Sequence, residues 1–107
     1  GMNDLMRPSL YSARHKIENL VESSEKKDLY SIVGPVCETA DSFGSDFEVN
    51  ANAGDYLVVY SAGAYGSSMG SNYNTRLKPA EILIDQKSHK VIRKAETFDD
   101  LIKEEEL

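Results

Sequence analysis

Short apolar runs alternate with polar and glycine-rich corners along the whole chain, a pattern typical of strands joined by turns. Apolar and polar positions alternate from His15 to Val21, which predicts a strand. The proline-led segment before it predicts a short turn or helix from Pro8 to Tyr11. The run DLYSIV predicts a second strand, which ends where Gly34 and Pro35 break the ladder.

The second half of the chain carries three further signals. A turn at Gly54-Asp55 precedes a β-branched and aromatic run, Tyr56 to Tyr60, which predicts a buried strand. The polar stretch GSSMGSNYNTRLK predicts an irregular segment or a short helix. The runs PAEILID and HKVIRKAET, separated by QKS, predict a β-hairpin or meander.

The last residues predict a helix. Thr97 is a candidate N-cap, and Asp99 and Asp100 favour a first helical turn through the helix dipole. A small apolar face is formed by Phe98, Leu101 and Ile102, and the KEEEL tail is expected to be a solvated, frayed helix end rather than an interaction tail. Four or five strands and one terminal helix predict a mostly-β barrel or sandwich, in a single domain spanning residues 1–107.

Charge and cysteine content exclude several classes of protein. A formal net charge of −6 argues against nucleic-acid binding, because a surface that follows phosphates needs an excess of Lys and Arg. One cysteine cannot form an internal disulfide, and no His/Cys ligand set predicts a metal site, so a reducing cytoplasm is the expected compartment. No apolar run approaches the roughly twenty residues of a membrane span, and we expect no secretory signal.

The stretch GPVCETADSFGSD holds the lone cysteine beside a glutamate. Cys37 and Glu38 could act as an acid and an anchor, because a thiol can release a proton and a carboxylate can hold an ammonium group. Adjacent residues alone are weak evidence, however, and loop residues with a cysteine that fills space in the core are the alternative.

Two other places carry candidate chemistry. Arg7 could clamp a carboxylate with its planar fork while the phenol of Tyr11 adds a hydrogen bond; an exposed surface arginine is the alternative. Tyr65, in the segment SAGAYG, could donate to a phosphate where small residues let the backbone approach, although most such tyrosines merely cap a barrel. His15 and His89 have no evident acid partner and are interpreted as structural or surface residues.

The order of five segments changes this picture. GMNDLMRPSLY, GPVCETAD, GDYLVVYSAGAYG, SNYNTRLKPAEILID and VIRKAETFDDL together resemble the carboxyl-terminal part of the diaminopimelate decarboxylases. These belong to the pyridoxal-phosphate decarboxylases that are similar to alanine racemase. The resemblance covers nearly the whole chain and implies the carboxyl-terminal β-barrel domain of such an enzyme.

The resemblance also implies a second domain that this chain does not contain. In that family an amino-terminal (β/α)8 barrel carries the lysine that holds pyridoxal phosphate and most of the phosphate cradle, and no segment of these 107 residues could replace it. We therefore expect the chain alone to be inactive and not to bind the cofactor covalently. Its expected partners are this barrel, a second subunit in a homodimer with shared active sites, and an amino-acid substrate.

The family's roles carry over position by position. Arg7 and Tyr11 match the RPxLY residues that hold the substrate's distal carboxylate, and the related ornithine decarboxylases lack this arginine. Cys37 and Glu38 match a pair that reaches into the partner subunit's active site, with the thiol beside the reacting carbon and the carboxylate on the distal amino group. Tyr65 matches a tyrosine close to the cofactor. Asp41 and Asn72 match positions expected to support loop geometry.

Two alternatives remain open at this point. The chain could be a non-catalytic interaction module that kept the fold after losing its barrel. It could also be a domain of another amino-acid decarboxylase of the same fold, in which case Arg7 would have a different meaning.

Overall fold

The computed structural model describes residues 1–21 and 26–106, which are mostly sheet with two short helices. The elements are α1 (Arg7–Tyr11), β1 (Ile17–Asn19), β2 (Asp28–Val33), β3 (Ser42–Val49), β4 (Leu57–Val59), β5 (Glu81–Asp85), β6 (Ser88–Arg93) and α2 (Phe98–Ile102), with a 3₁₀ turn at Tyr73–Thr75. They fall into two compact units, Gly1–Gly70 and Ser71–Leu107. No helix in the described part of the chain is long and apolar enough to cross a membrane.

The first unit contains two antiparallel strand pairs. β1 pairs with β4, with Ile17 opposite Val59, and β2 pairs with β3, with Tyr30 opposite Phe47. The register of the β2–β3 pair shifts near Ile32, which lies opposite Gly44. Gly44 has a φ of 116°, a conformation that a glycine adopts without strain, so the bulge is placed where the sequence tolerates it.

The core of the first unit is small. Its buried apolar residues are Leu5, Ile17, Val36, Phe47 and Val49. Phe47 and Val49 alternate with the exposed Glu48 along β3, the pattern of a strand with one buried face. Arg14 packs against Phe47, with its guanidinium carbon 4.1 Å from the centre of the ring. The same guanidinium donates to the carbonyls of Ser45 and Asp46.

The second unit contains the predicted hairpin and the predicted helix. β5 and β6 pair around a turn at Gln86 and Lys87, which confirms the hairpin. The Thr97 hydroxyl accepts from the Asp100 amide at 3.2 Å, and the Asp100 carboxylate accepts from the Thr97 amide at 2.8 Å, which confirms the N-cap as a capping box. The hydrogen bond from the Thr97 amide, followed by that from its hydroxyl, lowers the pKa of Asp100.

Three sequence expectations differ from the structure. The described residues contain six strands rather than four or five, because residues 42–49, for which the sequence predicted no strand, form β3. The strand expected from His15 to Val21 is confined to β1. The strand expected from Tyr56 to Tyr60 is confined to β4 and is not buried, since Tyr56 is 77% exposed and Leu57 is 38% exposed.

Candidate functional site

Arg7 opens α1 and lies against Tyr65. Pro8 in the first turn favours the helix because its ring fixes a helical φ and its missing N–H needs no partner there. The Arg7 guanidinium carbon is 6.0 Å from the centre of the Tyr65 ring, at the limit of cation–π contact. The Nε atom of Arg7 is buried and has no hydrogen-bond partner within residues 1–21 and 26–106. The pair therefore holds a positive group with an unused donor.

Tyr11 ends the same helix. It stands four residues after Arg7, so the two side chains share one face of the helix. The helix stops directly after it, because Ser12 adopts a left-handed conformation and returns its amide to the Arg7 carbonyl. Its side chain is 63% exposed, which leaves the phenol available to a ligand.

Tyr65 occupies a tight corner. Its φ of 60° is uncommon for a bulky residue, a kind of strain that concentrates at functional sites. The Gly66 amide donates to the Gly63 carbonyl at 3.2 Å, and the Met69 amide donates to the Tyr65 carbonyl at 3.0 Å. A Cβ on Gly66 would lie 2.5 Å from the Ala62 oxygen, so only glycine fits there. The corner presents a Tyr65 ring that is 64% exposed.

Cys37 and Glu38 lie at the tip of the β2–β3 hairpin, in the loop from Gly34 to Asp41. Both are exposed, and the Cys37 thiol is free. The loop closes on itself, because the Gly34 amide donates to the Asp41 carbonyl at 2.9 Å and the Asp41 amide donates to the Glu38 carbonyl at 3.0 Å. A Glu38 carboxylate oxygen also accepts from the Ala40 amide at 3.2 Å. The exposed thiol excludes the role of core filler for Cys37.

The hairpin tip is joined to α1. The Ser9 hydroxyl donates to the Ala40 carbonyl at 2.5 Å, which links the middle of the helix to the loop. A cavity of about 350 Å³ lies beside this link and is lined by Ser9, Ser12, Arg14, Ala40 and Phe43 among others. A larger cavity of about 490 Å³, near Glu18 and Tyr60, contains none of the five candidate residues, so its size does not point to the site.

The structure thus arranges the candidates in two groups. Arg7 and Tyr65 are in side-chain contact, with Tyr11 on the same helix as Arg7. Cys37 and Glu38 form a separate exposed tip that contacts α1 through Ser9. His15 is buried, with its Nδ1 3.0 Å from the Tyr60 carbonyl, and His89 is exposed, which agrees with their structural and surface interpretations.

The second unit contains one related element. The side-chain amide of Asn72 donates to Glu96 at 2.6 Å and to the Arg76 carbonyl at 3.0 Å, which agrees with its expected role in supporting a loop. Glu96 also accepts from the Lys78 amide at 2.8 Å. This backbone bond, followed by the bond from Asn72, lowers the pKa of Glu96.

Two buried polar residues lie near the site: Asn3, which sequence reasoning missed, and Asp41, which it named only as a support of loop geometry. Asn3 is 1% exposed, and its side-chain oxygen has no hydrogen-bond partner in the described ranges. Asp41 is 4% exposed, and both of its carboxylate oxygens accept backbone amides. The only advance signal for Asn3 was its place in the segment GMNDL. The partners of Asp41 could not be named in advance, because they are backbone amides that the fold brings to it. Across the described residues, no group of three or more His, Cys, Asp or Glu could hold a metal ion.

Comparison with known proteins places this arrangement in a family. The family model described as pyridoxal-dependent decarboxylase, C-terminal sheet domain, matches residues 1–63. The diaminopimelate decarboxylase of Neisseria meningitidis serogroup A is 48% identical over 99 residues, which cover 92% of this chain and 24% of that protein. The diaminopimelate decarboxylase of Aquifex aeolicus is 48% identical over 103 residues, which cover 95% of this chain and 24% of that protein.

Solved structures give the same result. The crystal structure of diaminopimelate decarboxylase from Methanocaldococcus jannaschii in complex with L-lysine aligns with a TM-score of 0.94 at 42% identity, over 100% of this chain and 25% of that one. The Helicobacter pylori enzyme complexed with L-lysine aligns with a TM-score of 0.90 at 42% identity, over 98% of this chain and 26% of that one. The chain spans about a quarter of the length of its curated relatives. It belongs to the pyridoxal-dependent decarboxylases, as their C-terminal sheet domain.

Proposed function

We propose that this chain is the C-terminal domain of a diaminopimelate decarboxylase, which converts meso-2,6-diaminopimelate to L-lysine and carbon dioxide in the cytoplasm. The observation that carries the proposal is the Arg7–Tyr65 pair, in which the guanidinium lies beside an exposed tyrosine ring. The planar fork of a guanidinium can pair with a carboxylate. The substrate class is inferred from the diaminopimelate decarboxylases, to which this chain is similar.

Arg7 and Tyr11 bind the distal carboxylate of the substrate. An arginine fork pairs with a carboxylate through two parallel hydrogen bonds, and the exposed phenol at the end of α1 adds a third. Ornithine has no second carboxylate, so it would leave Arg7 without this partner. The substrate of this site is therefore a dicarboxylic diamine rather than ornithine.

Cys37 and Glu38 act on the partner subunit's substrate. Their place at an exposed hairpin tip suits residues that reach beyond their own domain. Glu38 holds the distal ammonium group by a charge-assisted hydrogen bond. The thiol of Cys37 gives its proton to the carbon that has lost carbon dioxide, and it regains a proton from solvent. The barrel of one subunit and the hairpin tip of the other form each site of a homodimer.

Tyr65 fits one side of a pyridoxal-phosphate site. A Cβ on Gly63 would meet no atom within 4 Å, so the backbone beside Tyr65 is open to a ligand. The exposed phenol can donate a hydrogen bond to the cofactor, and Arg7 adds positive charge on the same side. When bound, the cofactor supplies an electron sink for the bond that breaks. The lysine that holds it belongs to the barrel, so this chain alone is inactive.

The experiment that tests the proposal restores the missing barrel. We define the fusion enzyme as this chain joined to the rest of the Aquifex aeolicus relative in place of that protein's own C-terminal domain. The expected result is release of carbon dioxide from meso-diaminopimelate, with L-lysine as the product and with little activity on ornithine. The two separate parts serve as controls. A folded dimeric fusion enzyme that prefers ornithine, or that has no decarboxylase activity, would contradict the proposal.

A further inference from the structure

Asp41 is a buried carboxylate whose two oxygens each accept a hydrogen bond from a backbone amide. Oδ1 accepts from the Met2 amide at 2.7 Å, and Oδ2 accepts from the Val36 amide at 2.8 Å. Asp41 as a whole is 4% exposed. Burial of a charge without partners is strongly unfavourable, and charge-assisted hydrogen bonds are short and strong. The two amides therefore fix the carboxylate in one place, and the carboxylate fixes them.

Gly34 makes room for this carboxylate. A Cβ built on Gly34 would lie 2.2 Å from the Asp41 Oδ2 atom, which no real contact permits. The Gly34 amide donates to the Asp41 backbone carbonyl at 2.9 Å. Asp41 thus closes the loop with two bonds: its carbonyl accepts from the Gly34 amide, and its side chain accepts from the Val36 amide. Cys37 and Glu38 lie between Val36 and Asp41 in the closed loop.

The bond to Met2 connects the closed loop to the segment that leads into α1. Met2 precedes the helix that carries Arg7 and Tyr11, and Ser9 of that helix donates to Ala40, the neighbour of Asp41. The Asp41 carboxylate therefore sets the position of the hairpin tip. It also joins the tip to the segment at Met2, which leads into the helix that carries Arg7.

We infer that Asp41 is a positioning residue for catalysis: it holds Cys37 and Glu38 in a fixed position and orientation relative to α1. The inference rests on the proposed function, since it assigns those two side chains to the reacting site. Displacement of a catalytic group by about 1 Å can cost about 10²-fold in rate. Loosening this loop should therefore reduce turnover while the fold remains intact.

Asp41→Asn in the fusion enzyme is the first test. The variant keeps the shape but places an NH₂ donor against one of the two amide donors, which removes a bond and leaves a repulsive contact. We expect kcat on meso-diaminopimelate to fall by about 10- to 100-fold, a larger effect than on KM. Asp46→Asn is the matched control, because Asp46 is exposed on the neighbouring strand and asparagine tolerates its φ of 59°.

Gly34→Ala is the second variant, because it disturbs the same carboxylate from the other side. If both act through one anchor, the double variant should be no slower than the slower single variant. Full kcat in either folded variant, or additive losses in the double variant, would overturn the inference. Failure of both single variants to fold would also overturn it, because Asp41 would then hold the fold rather than the site.

Amide hydrogen exchange separates this inference from the proposed function. The Val36 amide should exchange faster in Asp41→Asn than in Asp46→Asn, whether or not the fusion enzyme is active. If the unsubstituted fusion enzyme is inactive while Val36 exchange responds in this way, the proposed function fails and the anchoring by Asp41 stands. Unchanged Val36 exchange in folded Asp41→Asn would refute the anchoring itself.

Discussion

The Arg7 guanidinium carbon lies 6.0 Å from the centre of the Tyr65 ring and joins the helix α1 to the corner at residues 62–66. This contact places a substrate-binding candidate beside a cofactor-binding candidate. Since an arginine over an aromatic face keeps its outward N–H groups available, the pair is suited to receive an anion.

Arg7→Lys should weaken substrate binding in the fusion enzyme. Lysine keeps the charge but loses the planar fork and the stacking on Tyr65. Since a hydrogen bond to a charged group contributes about 1.5–3 kcal/mol, kcat/KM for meso-diaminopimelate should fall by about 10- to 100-fold. Arg93→Lys is the control, because Arg93 lies on the exposed strand β6 beside Glu81. Equal kcat/KM values for the two variants would remove Arg7 from the site.

Cys37→Ala and Glu38→Gln should have different kinetic effects. Loss of a general acid lowers kcat by about 10²- to 10⁴-fold with less effect on KM. Glu38→Gln removes the charge that holds an ammonium group, so it should chiefly raise KM. Steady-state kinetics of both variants decide the matter. The reverse pattern, in which Cys37→Ala changes KM alone, would exclude the thiol as the proton donor.

Gly66→Ala should destabilise the corner that presents Tyr65. The added Cβ would lie 2.5 Å from a backbone oxygen, so the chain must shift, at a cost of about 1–3 kcal/mol in the free energy of unfolding. Gly63→Ala is the matched control, because its Cβ would meet no atom within 4 Å and should change stability by less than about 0.5 kcal/mol. Denaturant unfolding compares them, and equal stabilities would show that the corner is looser than described.

Acid should weaken the second unit through Glu96. Two hydrogen bonds, first from the Lys78 amide and then from Asn72, hold the pKa of this carboxyl below its ordinary value of 4.5. A carboxyl with a lowered folded-state pKa stabilises the fold above its ordinary pKa, and this contribution is lost as pH falls through the lowered value.

Glu96→Gln should therefore reduce the loss of stability on acidification below about pH 4.5. Urea unfolding across that range measures the effect, with Glu104→Gln in the exposed tail as the control. If the two variants lose stability with identical pH dependence, the hydrogen bonds at Glu96 do not contribute as described.

Local signals in the sequence correctly predicted several elements. The β5–β6 hairpin and the Thr97 cap depend on adjacent residues, so the pattern was sufficient to predict them. Strand β3 was missed because Gly44 and Asp46 are residue types typical of turns, and both do adopt positive φ values. Its strand character comes from pairing with β2. The predicted burial of Tyr56 was wrong, because the apolar composition of a strand does not determine whether a second layer covers it.

The site shows the same division between local and distant information. Candidate residues such as Cys37 and Tyr65 could be named from ordered motifs in the sequence. Their geometry could not, because it depends on contacts between distant segments: Arg7 with Tyr65, and Asp41 with the amide of Met2. Asp41 in particular binds backbone groups, which carry no signature in the residue types of their positions.

The most direct test of the central claim is complementation between two inactive fusion enzymes. One subunit carries Cys37→Ala, and the other lacks the cofactor-holding lysine of its barrel. If the hairpin tip with Cys37 and Glu38 works in the partner's barrel, the heterodimer contains one complete site of two and should recover about half of the unsubstituted activity. No recovery, in a heterodimer shown to form, would contradict the shared site and return the loop from Gly34 to Asp41 to a structural role.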